Sequence, residues 1–358
     1  MNSSITEFKE QIKHIETHLN VLEKYEQIIK KLSDEDADFI KSNSTQEKQF
    51  SYRSNIISLY GAFEHFIENI ITEYIESIQK LISSFDEWAP AITGNYFDLW
   101  KKLHGKLKYP KYSLISENEM VENIHKIVIN HEKALIPQCF LQNGGNYRAN
   151  EICDMFKRVG INNINDFVIK YEPFQSYLSE QFPEIQNVEN GRRTELYFQD
   201  LEDLVNRRNE IAHGSSDDNT IDGNSFIEKI QFVKSYAEAI NNYLTDKVYE
   251  RQWGNNKPDA IKITNVFTKA GNVALLDIND IRKDSKKIMS SSKILVKYKE
   301  NECSRFFITE IKEIRVDLTS GEKNKTVDEI VVDSNVEQIS IEVSEKVKPN
   351  QKIKILDI

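Results

Sequence analysis

Residues 201–214 read Leu201-Glu202-Asp203-Leu204-Val205-Asn206-Arg207-Arg208-Asn209-Glu210-Ile211-Ala212-His213-Gly214. Leu201, Leu204, Val205 and Ile211 recur at helical spacing, which predicts an amphipathic helix. Gly214 follows directly, and a glycine just past the last periodic residue is a usual C-terminal stop. The last two turns crowd two guanidinium groups, an amide and an imidazole together: Arg207, Arg208, Asn209 and His213. Asn209 and His213 are four apart and share a face. Arg208 and His213 are five apart, about 140° around an ideal helix, so they do not stack within one chain. A twofold axis through this face would let the Arg of one chain serve the His of another.

The strongest helical pattern lies upstream, at about 51–83. Ile56, Leu59, Tyr60, Phe63, Phe66, Ile67, Ile70, Ile71, Tyr74, Ile75, Ile78 and Leu81 form its broad apolar face. Glu64 falls among them, and an acid on such a face calls for a partner. Arg208 and His213 are the candidates.

Two segments carry a family resemblance. Arg208-Asn209-Glu210-Ile211-Ala212-His213 resembles the Arg-(four to six residues)-His signature of HEPN domains. Tyr60-Gly61-Ala62-Phe63-Glu64-His65-Phe66-Ile67-Glu68 resembles the early helix of RiboL-PSP-type and related HEPN proteins, with Glu64 at the matching position. The resemblance covers about residues 50–250 and implies a helical, usually dimeric bundle. It also implies a metal-independent endoribonuclease of the toxin or antiviral-defence kind. Arg208, His213, Asn209 and Glu64 are then the catalytic candidates, with Arg207, Arg192 and Arg193 as substrate contacts. The products expected are a 2′,3′-cyclic phosphate and a 5′-OH. The competing reading is a non-catalytic HEPN-type module that binds a protein partner.

Around these segments, residues 5–41 read as one long helix with a narrow apolar stripe. Residues 84–194 read as an insertion, loop-rich over 84–112 (Pro90, Gly94, Gly105, Pro110), with His104 as a weak second histidine. Arg148 reads as a salt-bridging surface residue before a phosphate contact. Further core helices are expected at about 195–213 and 225–250. From 259 the hydrophobic period switches from helical to two-residue alternation, as in Ile261/Ile263 and Ile294/Val296. The expected organisation is α+β and multidomain. An all-α bundle over 1–253 precedes a small all-β barrel or sandwich over 254–358, where a regulatory protein partner could dock.

The chain has 358 residues and a formal net charge of −10. Residues 254–358 hold 19 Lys and Arg against 17 Asp and Glu, so the excess acid lies in the helical part. That argues against broad wrapping of nucleic acid there and for a local grip. Three widely spaced cysteines form no metal-ligand pattern and fit a reducing cytoplasm. No apolar run reaches membrane-spanning length. No metal or cofactor is expected.

Overall fold

A computed structural model describes residues 2–31, 35–142, 145–183, 195–214, 221, 223–255, 260–267, 272–282, 287–300 and 303–356. The chain forms two compact units, Met1–Leu244 and Thr245–Ile358. The architecture is helical first and β-rich second, the α+β organisation expected.

The first unit opens with an antiparallel helical hairpin. Helix α1 (Ser3–Ile29) lies on α2 (Glu35–Leu81). The rings of Phe8 and Phe66 meet at 5.1 Å, and near the turn Lys48 pairs with Glu26 at 3.0 Å. The open N-terminus of α1 leaves backbone donors without helical partners. The Glu73 carboxylate of α2 accepts three of them, from Asn2, Ser3 and Ser4, and the Ser4 hydroxyl at 2.6 Å. The single helix expected over 5–41 is therefore two, turning at Lys30–Lys31. Ile28, Ile29 and Leu32 carry the apolar pattern on past the turn, which hides it in the sequence.

Residues 84–112 also differ from expectation. They contain α3 (Pro90–His104), with Ile92, Tyr96, Leu99 and Leu103 buried. Pro90 occupies the first turn of the helix, where its missing N–H costs nothing and its fixed φ helps. Then come α4 (Glu117–Asn130), opened by a Ser116–Glu119 capping box, α5 (Ala149–Arg158), α6 (Ile164–Val168) and α7 (Phe174–Gln181). The residues 201–214 read above form α8 (Gln199–Ala212), and α9 (Gly223–Asn255) follows. Tyr236 of α9 is fully buried at the hub. Its ring lies 5.9 Å from Phe63, 5.3 Å from Phe174 and 5.1 Å from Phe198, and its hydroxyl bonds Asn165 Oδ1 at 2.6 Å.

In the second unit the strands are β1 (Ile261–Phe267), β2 (Val273–Leu276), β3 (Lys287–Met289), β4 (Lys293–Glu300), β5 (Cys303–Leu318), β6 (Lys325–Val327), β7 (Glu329–Val331), β8 (Val336–Val343) and β9 (Lys352–Leu356). A short helix, α10 (Ile278–Arg282), follows β2. The sheet order is β4-β9-β1-β2-β8-β5-β6, and β4 also pairs with β5. That last pairing closes six antiparallel strands into a barrel. The 16-residue β5 makes closure possible: Cys303–Glu310 pairs β4, and Ile311–Leu318 pairs β8, with register shifts at Ile311/Glu313 and Asp317/Leu318. Inward residues such as Ile263, Ile294, Ile314, Ile339 and Ile353 fill the interior.

The barrel has a second, outer apolar cluster. Leu295, Phe306 and Leu356 are covered by Tyr249 and Trp253 from the end of α9. Asp246 accepts the Phe306 N–H at 2.9 Å. The last turns of α9 thus belong to the β-rich unit, and the division lies at 244/245 where sequence suggested 253/254. The reason is that the helical pattern of α9 runs on through both units.

A fragment starting at Thr245 should therefore fold cooperatively, whereas one starting at Gly254 should melt lower and bind a hydrophobic dye. Calorimetry and dye fluorescence on the two fragments check this. Equal melting would mean that Tyr249 and Trp253 cover nothing that matters.

Candidate active site

Helix α8 buries Leu201, Leu204 and Val205. Ionic ties hold its polar side in place. Asp203 accepts from Arg207 Nε at 2.7 Å and from the nearly buried Lys229 of α9 at 2.5 Å. Arg207 also donates to the Tyr52 hydroxyl of α2 at 2.9 Å. Arg148, just before α5, donates to Glu202 and to Asn206 Oδ1, the latter at 2.6 Å. Arg148 is the salt-bridging residue expected. Arg207, considered as a phosphate contact, is engaged by Asp203 and Tyr52. Arg192 and Arg193 lie outside the described residues.

Arg208 sits at the centre of a second, tighter set of contacts. Its guanidinium carbon lies 4.3 Å from the centre of the Tyr60 ring. Nη1 donates to Asn209 Oδ1 at 2.9 Å, Nη2 donates to the Gly145 carbonyl at 3.3 Å, and Nη2 stands 3.7 Å from Glu64 Oε2. A cation over an aromatic face contributes about 0.5–2 kcal/mol, more as water is excluded. Tyr60 is itself fixed: its hydroxyl donates to the Gly145 carbonyl and accepts from the Tyr147 N–H, each at 3.1 Å. The ring that supports Arg208 and the carbonyl that accepts from it are thus tied together.

One turn along α2, Glu68 takes two donors on one oxygen, the Tyr147 hydroxyl and Lys111 Nζ, both at 2.5 Å. Burial raises the Glu64 carboxyl above its ordinary value, the neighbouring Glu68 charge adds to this, and Lys111 and Arg208 oppose it without cancelling it. The sequence reading gives Tyr147 and Glu68 no role and counts Lys111 among the lysines of a solvated rim. Glu64 and Glu68 are four apart and do share a helical face, but the contact with Tyr147 spans 79 residues and leaves no local signal.

His213 follows the last residue of α8, and its N–H bonds the Asn209 carbonyl at 2.9 Å. Gly214 then adopts φ +74°, the left-handed stop that the sequence suggested. The His213 side chain is exposed, with no hydrogen bond or ion pair among the described residues. His104 stacks on Trp100 at 5.3 Å and faces Glu117 at 3.3 Å, so it is engaged elsewhere. Among the described residues, no group of three or more His, Cys, Asp or Glu could hold a metal ion.

The arrangement joins Glu64, Arg208 and Asn209 into one cluster and leaves an imidazole on the surface at the end of the same helix. A guanidinium offers a fork that matches phosphate oxygens. Its Glu64 partner at 3.7 Å is a loose ion pair that an incoming phosphate can displace. The charge crowding has a measurable cost. Glu64 binds its proton more tightly when folded, so its contribution to stability is full below the ordinary value of 4.5 and is lost as pH rises through the raised value. Glu64→Gln should therefore melt higher than wild type at pH 8, and the two should converge near pH 4. Parallel melts across that range measure it, and a Gln variant that melts lower at pH 8 would show the Arg208 pair outweighing burial.

A family model described as RiboL-PSP-HEPN matches residues 23–246. No curated protein and no solved structure matches the chain. The matched segment takes in the helices that carry Glu64, Arg208 and His213, together with the insertion that supplies Gly145 and Tyr147. Membership supports a role of the RNase or nucleotide-binding type. No helix among the described residues is long and apolar enough to cross a membrane. The match covers more than half of the chain, and the chain belongs to the RiboL-PSP-type HEPN family.

Proposed function

We propose that the protein is a homodimeric, metal-independent endoribonuclease that cuts RNA by attack of the ribose 2′-OH. The observation that supports this reading is a guanidinium held on Tyr60 together with an exposed imidazole, just past the end of the same helix, that has no hydrogen bond or ion pair among the described residues. Arg208 clamps the phosphate and steadies its extra charge in the pentavalent transition state. His213 moves the proton, as base at the 2′-OH or acid at the leaving 5′-oxygen. Asn209 hydrogen-bonds the phosphate, and Glu64 orients Arg208 until substrate arrives. A toxin or antiviral-defence setting follows the family resemblance.

In-line displacement wants proton donors and acceptors on both sides of the phosphate, and one protomer supplies one motif imidazole. A second copy supplies the other. Exposed apolar residues on α2, Phe39, Phe50 and Ile57, support such a contact. Spaced 11 and 7 residues apart, they lie within about 20° of one another on an ideal helix, and Glu64 continues the same line 7 residues on. An apolar stripe that leads into the charged cluster suits a twofold contact across it. Phe50→Glu should give a monomer by light scattering and take cleavage with it. A monomeric wild type would remove the composite site.

Because Arg208 and His213 supply charge and proton transfer themselves, cleavage should persist in EDTA. His213→Ala should reduce it by ~10²–10⁴-fold and leave the melting temperature unchanged, since the side chain is exposed. Arg208→Lys should rescue poorly, because a point charge cannot reproduce the fork. A His213→Ala variant that cleaves at the wild-type rate would favour the second reading, a HEPN module that binds a protein partner. The acidic balance of the helical part fits that reading.

A further inference from the structure

The barrel carries a row of like charges, with the Asp280 carboxylate at one end, where it accepts the Lys262 backbone N–H at 3.2 Å. In β1, β9 and β4 the inward residues are Ile261 and Ile263, Ile353 and Ile355, and Ile294 and Val296. Lys262, Lys352 and Lys297 therefore face outward. The strand register sets them directly opposite one another: Lys262 pairs with Lys352, and Lys352 pairs with Lys297. Like charges directly opposite across strands destabilise a sheet. Among the described residues none of these three lysines makes a salt bridge. The row spans two strand spacings, roughly 10 Å. It ends on an aromatic pair, since Lys297 is opposite Phe306 and its Nζ lies 5.7 Å from that ring and 6.0 Å from Trp253. Lys354, two residues along β9, is nearly buried, with Nζ donating to the Trp253 carbonyl at 2.7 Å. Lys293 extends the charge along β4. Its acidic neighbour is Glu310, opposite it on β5, and no salt bridge joins them.

We propose that this outer face of β1, β9 and β4 binds the phosphate backbone of single-stranded RNA, with Lys262, Lys352 and Lys297 as the phosphate contacts. A straight row of ammonium groups fits a linear polyanion, and each ammonium suits a phosphate as a point charge. Phe306 is buried beneath Trp253, so the two rings hold the Lys297 ammonium at the end of the row and the grip is on phosphate. The cross-strand repulsion is relieved when an anion lies along the row. The face also answers the acidic balance of the helical part, which by itself repels RNA. This deepens the nuclease reading by giving it a substrate grip, but it is tested on binding alone, so either can fail without the other.

The probe is a 2′-O-methyl oligouridine, which lacks the attacking hydroxyl and stays intact, titrated against the full chain by fluorescence anisotropy at several salt concentrations. The triple change Lys262→Gln, Lys297→Gln and Lys352→Gln should weaken binding ~10–100-fold and flatten the slope of log K against log salt by about 2, at roughly 0.7 per phosphate contact. Its melting temperature should be no lower than wild type, because repulsion has been removed. Lys352→Glu alone places an anion between two cations, so it should melt higher and bind RNA more weakly. Unchanged affinity and slope in either folded variant would overturn the proposal. So would a poly-glutamate peptide of equal charge that binds as tightly as the RNA and loses as much in the triple variant, since the face would then suit an acidic protein.

Discussion

The packing around Tyr236 is the constraint on which the helical unit depends. Its ring meets Phe63 of α2, Phe174 at the start of α7 and Phe198 just before α8, and its hydroxyl fixes Asn165 of α6. An aromatic pair at these separations contributes about 0.5–1.5 kcal/mol beyond its buried area. More important here is geometry. Three helices and a helix start are held to one another through a single side chain that has no room to shift. Phe63 is one residue before Glu64, and Phe198 is ten before Arg208. Placing those two rings therefore sets the separation between α2 and α8 that brings the carboxylate within 3.7 Å of the guanidinium.

Within that frame the site is built of charges that disfavour one another. Glu64 and Glu68 sit a turn apart on a mostly buried face, and two cations, Arg208 and Lys111, offset them incompletely. The Tyr147 hydroxyl gives Glu68 a further donor. Tyr60 serves as ring for Arg208, donor to Gly145 and acceptor from Tyr147. Such crowding is typical of places where function, not stability, has selected the residues. By contrast, Arg207, Arg148 and Lys229 are matched to acids at short range, and these ties hold α8 in place.

How much of this the chain declares in advance depends on the range of each interaction. The α8 helix, its glycine stop and the change of hydrophobic period near 259 are local, and they were legible. Glu64 as a partner for Arg208 was legible because an acid on an apolar face demands one. The turn at Lys30–Lys31 was not, because apolar residues continue through it, and α3 was hidden by Pro90 and Gly94, which resemble breakers. Tyr147 and Gly145 reach Tyr60 across 87 and 85 residues. No spacing rule encodes that. Barrel or sandwich was equally open, since alternation says which residues face inward and nothing about which strand closes on which.

The register that alternation leaves undetermined is also what gives the second unit its chemistry. Lys262, Lys297 and Lys352 are scattered over 91 residues of sequence, and no window makes them a basic patch. Closure through β5 fixes the order β4-β9-β1, and only that order sets the three in one row. Shift β9 by one residue and Ile353 would face outward while Lys352 turned into an interior filled by isoleucine and valine. The core therefore enforces the repulsion. The hydrophobic gain of burying the inward residues holds the three backbone positions in one row, so a polyanion would have only the lysine side chains left to order.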